Sequence, residues 1–249
     1  MLSFELEKQI NELLQTHLYR DYAPNGLQVQ GKSEIKSIVT GVTACQLLLD
    51  EAVKRNADAV LVHHGYFWKN EPLTLTGIKY QRVKTLIDHQ INLVSYHLPL
   101  DGHPVLGNNA QLAKLFNIAV DERNDITDLL FRGSLINPCS ALQFKEKIEN
   151  VLNKTVLFCG DNAPTLIQRV AWCSGGAQDY IEQAVALGVD AFVTGEVSER
   201  TIHIAREYGI NFYACGHHAT ERYGIKALGE WLAEHYQLDV QFIDIDNPA

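Results

Sequence analysis

At 249 residues, with 46% hydrophobic and 20% charged positions, the chain has the length and composition of one large or two modest globular domains. A formal charge of -9 argues against nucleic acid as a bulk partner, since an acidic surface repels phosphate backbones, and leaves room only for a local basic pocket. No apolar run approaches the roughly 20 residues of a membrane helix, which argues against a membrane partner.

In chain order, MLSFELEKQINELLQTHL puts acidic residues where a signal peptide carries basic ones, and its Phe4, Leu6, Ile10, Leu13 and Leu14 form an apolar stripe at helical spacing. A strand follows around Ile38 and Val39, a helix near Gln46 to Arg55, and a strand over Ala59 to Val62. A helix from about Tyr80 to His89 then leads into a strand over Asn92 to Tyr96. The middle of the chain reads as a strand over Leu129 to Ile136 and a helix over Ala141 to Leu152, with Asn137-Pro138 and Ala163-Pro164 as turns. Beyond it lie a strand at Val170 to Trp172, a helix at Asp179 to Leu187, a strand at Ala191 to Val193, a helix near Ser198 to Tyr208 and a strand at Asn211 to Ala214. Strand alternating with helix is the pattern of βαβ units. The five cysteines (Cys45, Cys139, Cys159, Cys173, Cys215) include no CxxC pair, and reduced thiols in the cytoplasm are expected.

The two halves resemble each other. DEAVKRNADAVLVHHG, Asp50 to Gly65, matches EQAVALGVDAFVTGE, Glu182 to Glu196, with Ala52 over Ala184 and Asp58 over Asp190. INLVSYHLPLD, Ile91 to Asp101, matches INFYACGHHATE, Ile210 to Glu221, and one inserted residue puts His97 over His217 and Asp101 over Glu221. The expectation is an α/β fold of two similar, interlinked domains from an internal duplication, spanning residues 1-125 and 126-249. The site is expected between them at the carboxyl ends of the strands, where open α/β sheets bind ligands.

VLVHHG places His63 and His64 where a strand gives way to Gly65. Neighbouring strand side chains diverge, so the pair either serves two ions, turns toward one, or is an accident of an exposed loop. In SYHLPLDGH, Pro99 forbids a regular helix, so His97 and Asp101 are not expected to share a helical face. Asp101 is free to bind or bridge a metal, His97 reads as a ligand, a hydrogen-bond partner behind one or a core histidine, and His103 as peripheral. In GHHATERYG a helix beginning near Ala219 or Thr220 puts Glu221 in its first turn, where the dipole favours a carboxylate, and a slightly longer helix adds His217 to the same face. His218 then points elsewhere, toward solvent. Glu196, aligned with His64, is a candidate acid or base or a helix-start residue. Ser174-Gly175-Gly176 is expected to be a packing turn, and Cys215 a buried strand cysteine. Several imidazoles and two carboxylates suit two ions about 3.5 to 4 Å apart, which make hydroxide available near neutral pH. Phosphate-loop, GxSxG and GxGxxG patterns do not occur.

Together VLVHHG, SYHLPLD and GHHATERYG, with Asn25-Gly26-Leu27-Gln28-Val29, resemble the Nif-three-like dinuclear-metal family, whose compact YbgI-type bacterial members carry the designation GTP cyclohydrolase I type 2 homologue. The resemblance implies His63, His64, Asp101, His217 and Glu221 as metal ligands, Glu221 as the bridge, two divalent ions per subunit (iron, zinc, manganese or nickel) and a toroidal homohexamer. It leaves the catalytic residues and the small-molecule substrate open. The expected activity is metal-dependent hydrolysis, and the alternative is a non-catalytic, ring-forming metal-binding scaffold.

Overall fold

The apolar stripe at the start of the chain forms helix α1 (Ser3–Leu14), with Leu6, Ile10 and Leu14 fully buried at one-turn spacing and Gln15 ending the helix in a left-handed conformation, φ 50°. This computed structural model describes residues 1–249. Strands β1 (Gly26–Val29) and β2 (Ser37–Thr43) follow, then α2 (Gln46–Lys54), β3 (Ala59–His64), α3 (Gly77–Asp88), β4 (Asn92–Ser95) and α4 (Leu98–Gly102). Next come α5 (Asn108–Phe116), β5 (Ile118–Val120), β6 (Phe131–Ser140), α6 (Ala141–Leu152), β7 (Leu157–Cys159) and β8 (Leu166–Trp172). The chain closes with α7 (Ile181–Ala186), β9 (Ala191–Thr194), α8 (Glu199–Tyr208), β10 (Asn211–Ala214), α9 (His217–Tyr236) and β11 (Asp239–Phe242).

These elements fall into two units. The first holds Met1–Gly107 and Gly224–Asp246, and the second Asn108–Tyr223 and Asn247–Ala249. The division expected at residue 125 lies inside the second unit, and the chain re-enters the first unit within α9.

In the first unit one sheet runs β1-β4-β3-β2-β11, parallel throughout except for β1 at its edge. Alternate residues load opposite faces. Ile38, Val42, Ala59, Leu61 and Val94 pack with Leu6, Ile10 and Leu14 of α1 and with Ile225, Leu228 and Leu232 of α9. Val39, Val60, Val62 and Leu93 pack with Leu48, Leu49 and Ala52 of α2 and Val83 and Leu86 of α3. A parallel strand covered on both sides has no solvent face, so β3 reads as a continuous apolar run up to its histidines.

The second sheet runs β5-β6-β8-β9-β10-β7. Here β8, β9 and β10 are parallel, and β6 and β7 flank them antiparallel. Val170, Trp172, Val193 and Tyr213 face Phe144, Ile148 and Leu152 of α6. Ala171, Phe192 and Phe212 face Ile181 and Ala184 of α7 and Ala205 of α8. The aligned aspartates do the same work in each sheet. Asp58 Oδ2 accepts the backbone N–H of Lys36 at 3.0 Å and of Ser37 at 3.1 Å, and Asp190 Oδ2 accepts those of Gln168 at 2.9 Å and Arg169 at 2.7 Å.

Two local expectations change. Pro99 does not prevent a helix: it lies in the first turn of α4, where a missing N–H costs nothing because those amides have no partner within the helix. Helix α9 begins at His217, earlier than Ala219 or Thr220, so His217 and Glu221 do share a face.

Candidate metal-binding clusters

In the first unit, β3 ends in His63 and His64, whose ring centroids are 4.5 Å apart although they leave the strand in succession. His63 is fully buried, and its Nδ1 sits 2.9 Å from the Tyr96 carbonyl oxygen. A carbonyl only accepts, so Nδ1 carries the proton and Nε2 has the lone pair. That Nε2 lies 3.5 Å from Oδ1 of buried Asp101, which α4 carries. Half-buried His64 has Nδ1 3.2 Å from Thr43 Oγ1.

His97 completes this cluster. His63, His64 and His97 each offer a ligand atom within 4.8 Å of the others. Asp21 fixes His97: its Oδ1 is 2.9 Å from His97 Nδ1, and its Oδ2 accepts Leu98 N–H at 2.9 Å and Asn25 Nδ2 at 3.0 Å. Asn25 Oδ1 accepts the His97 amide at 2.8 Å. Burial would push the Asp21 carboxyl up, but the bond and charge of His97, with those of Asn25 and the Ala23 amide, hold it down to about 2.

In the second unit, Gly216 (φ 94°) turns the chain out of β10 into α9, which presents His217 and, one turn on, buried Glu221. His217 Nε2 is 3.1 Å from Glu221 Oε2, and His217 Nδ1 is 2.6 Å from Glu196 Oε1. Burial works against a charged imidazole here, yet the two carboxylates, Glu221 first and then Glu196, raise His217 to about 9. Gly175 (φ 66°) lies against this pair. A Cβ there would overlap Glu221 Oε1 and stand 3.2 Å from His217 Nε2, so the turn needs glycine for more than backbone freedom.

The donor chemistry of each cluster fits a divalent ion. Donors held about 2.0 to 2.1 Å from a tetrahedral ion lie about 3.3 Å apart, and the pairs His63–Asp101 and His217–Glu221 bracket that separation at 3.5 and 3.1 Å. In His63, His64, His97 and His217 alike, Nδ1 faces an oxygen, which leaves Nε2 for a metal.

The structure brings His63, His64, His97 and Asp101 together in one unit, and His217 and Glu221 together, with Glu196, in the other. His218, expected in solvent, is 9% exposed, and its amide donates to the Ala249 carbonyl at 3.3 Å. His103 is buried as well, accepting the amides of Val105 and Leu106 on Nδ1. Cys215 is the buried cysteine expected, its thiol pushed up by burial. Asp21 was missed: it stands in a segment without periodicity, and its only sequence signal is its spacing to Asn25 in the quoted motif.

The sequence profile of the family Duf34/NIF3 (NGG1p interacting factor 3) matches residues 1–248. The chain belongs to this family. A Duf34/NIF3 relative from Yersinia pestis, named GTP cyclohydrolase 1 type 2 homolog, is 62% identical over 249 residues, all of both chains. The relative of the same name from Escherichia coli strain K12 is 58% identical over 249 residues, again all of both chains. Among solved structures, the one titled "protein ybgI, unknown function" superposes at a TM-score of 0.98 with 57% identity and full coverage of both chains. TTHA1606 from Thermus thermophilus superposes at 0.90 with 28% identity, also with full coverage. The α/β architecture with two sheets is thus that of the NIF3 superfamily, and the residues grouped above are its metal-binding candidates in this chain.

Proposed function

We propose that His63, His64, Asp101, His217 and Glu221 together hold two divalent first-row ions, with Glu221 as the bridge, and that the protein is a metal-dependent hydrolase. The observation that carries this reading is the repeated arrangement of a buried carboxylate oxygen at ligand-to-ligand distance from an imidazole Nε2, as in His63–Asp101 and His217–Glu221. Mixed imidazole and carboxylate donors suit iron, zinc, manganese or nickel.

Such ions, when bound, supply Lewis acidity toward water and toward an electrophilic carbon or phosphorus. The chain's own contribution is orientation. The Tyr96 carbonyl holds the ring of His63, Thr43 that of His64, and α9 sets Glu221 one turn beyond His217 on the same face. The name of the relatives suggests opening of a purine ring, and a phosphoester or amide would use the same donors. The reading extends to a cytoplasmic, ring-shaped homohexamer and to an origin of the two units by duplication, which the matched roles of Asp58 and Asp190 support.

The test is metal content per subunit with an anomalous-scattering map. It is followed by nucleotide and phosphoester panels assayed with and without added Mn2+, Zn2+ or Fe2+. Turnover should require metal and vanish in Glu221→Ala with the fold retained. Activity that survives both chelation and that substitution overturns the hydrolase reading. Tight metal binding without turnover of any substrate turns the assignment toward a non-catalytic scaffold.

A further inference from the structure

The histidines that the matched segments place in register, His97 and His217, share one device. Each gives its Nδ1 to a carboxylate from a distant part of its own unit. Glu196, just beyond β9, has Oε1 2.6 Å from His217 Nδ1. Asp21, in the segment before β1, has Oδ1 2.9 Å from His97 Nδ1. These carboxylates are not counterparts: Glu196 aligns with His64, and Asp21 lies outside the matched segments. The same imidazole–carboxylate pair has been built twice from unrelated positions, which a shared ancestral helix or strand does not explain.

An ionised carboxylate only accepts, so it keeps a proton on Nδ1 and bars that nitrogen from an ion, which is left Nε2 alone to bind on each ring. It also restrains ring rotation and strengthens the imidazole as a ligand. In His217 the ring so held has its Nε2 3.1 Å from Glu221 Oε2, the other donor proposed for the ion. Resting on the reading of His217 as a metal ligand, we propose that Glu196 is a positioning residue that locks His217 in the metal-binding tautomer and orientation, as Asp21 fixes the ring of His97 beside His63 and His64.

The two differ in what else they hold. Asp21 also receives the amides of Tyr22, Ala23 and Leu98 and the side chain of Asn25, so its substitution loosens the loop as well as the ring. Glu196 has a side chain 47% exposed, which makes it the cleaner probe.

The experiment is a Zn2+ titration of metal-stripped full-length protein against a chromophoric chelator. Glu196→Ala should weaken binding by about 10- to 100-fold, while the unfolding midpoint of the metal-free protein stays that of the parent. Glu196→Gln, which keeps an accepting oxygen and loses the charge, should fall between the two. The visible absorption of bound Co2+ should shift in Glu196→Ala, a change that a merely structural role would not produce. Glu199→Ala, at a side chain 94% exposed, serves as the control and should bind as the parent does. If the parent binds tightly and Glu196→Ala binds equally well with an unaltered Co2+ spectrum, this inference is overturned alone. A parent without Zn2+ affinity overturns the two-ion reading and this inference with it.

Discussion

Asn92 in the first unit and Asn211 in the second make the same pair of bonds. The Nδ2 of Asn92 donates to the carbonyls of Asp58 at 3.1 Å and Lys32 at 2.8 Å, and that of Asn211 donates to those of Asp190 at 3.0 Å and Pro164 at 2.9 Å. Each residue opens the third parallel strand of its sheet and ties it to the residue just before the second. Both side chains are buried, so removing one takes the asparagine donor from the Lys32 or Pro164 carbonyl, while the Asp58 and Asp190 carbonyls keep the backbone N–H of the same residue. Asn92→Ala and Asn211→Ala should each destabilise the protein by about 1–3 kcal/mol. Urea unfolding checks this, as a lower midpoint without a change of slope.

Asp58 adds a pH dependence to the same corner. Burial would raise its carboxyl, but the bond from Lys32 and the amides of Lys36 and Ser37 bring it below the usual range. A folded value below the unfolded one gives stability that is complete above about pH 4 and is lost as pH falls through the folded value. Asp58→Asn should therefore lower stability at neutral pH and flatten its decline on the acid side. Equal acid slopes in parent and variant would contradict this.

Gly175→Ala tests the packing behind Glu221. The added Cβ meets Glu221 Oε1, and φ of 66° strains any L side chain by about 1–2 kcal/mol. The expected result is modest destabilisation together with lost metal occupancy, because the carboxylate must move. Full occupancy in a folded Gly175→Ala protein, measured by elemental analysis, would show that Glu221 is not held where the glycine turn places it.

Metal should also stabilise the fold. Ions that bind only the native state at 100 times their Kd add about 2.7 kcal/mol. A chelator should therefore lower the thermal midpoint, and re-added Zn2+ or Mn2+ should restore it in the parent and fail to do so in Glu221→Ala. A midpoint indifferent to chelation counts against bound ions.

Much of the fold follows from local pattern. Leu6, Ile10 and Leu14 specify α1 by their spacing, and the apolar run before His63 reads as a strand, while its cover on both faces is seen only in the fold. The placement of His63 and His64 at the end of β3, and the spacing of His217 and Glu221, are equally properties of the chain. What lies behind those side chains is not. The Tyr96 carbonyl, Thr43, Asp21 and Glu196 meet their histidines across 21 to 76 residues. Such contacts depend on strand order and on how loops return, and no period in the sequence encodes them. Pro99 in the first turn of α4 and buried His218 were misjudged for a related reason: propensity describes a residue by itself, and its place in a turn or under a neighbouring segment decides the cost. Residue spacing thus determined which groups are available for chemistry, and tertiary packing alone decided which nitrogen of each histidine is left to perform it.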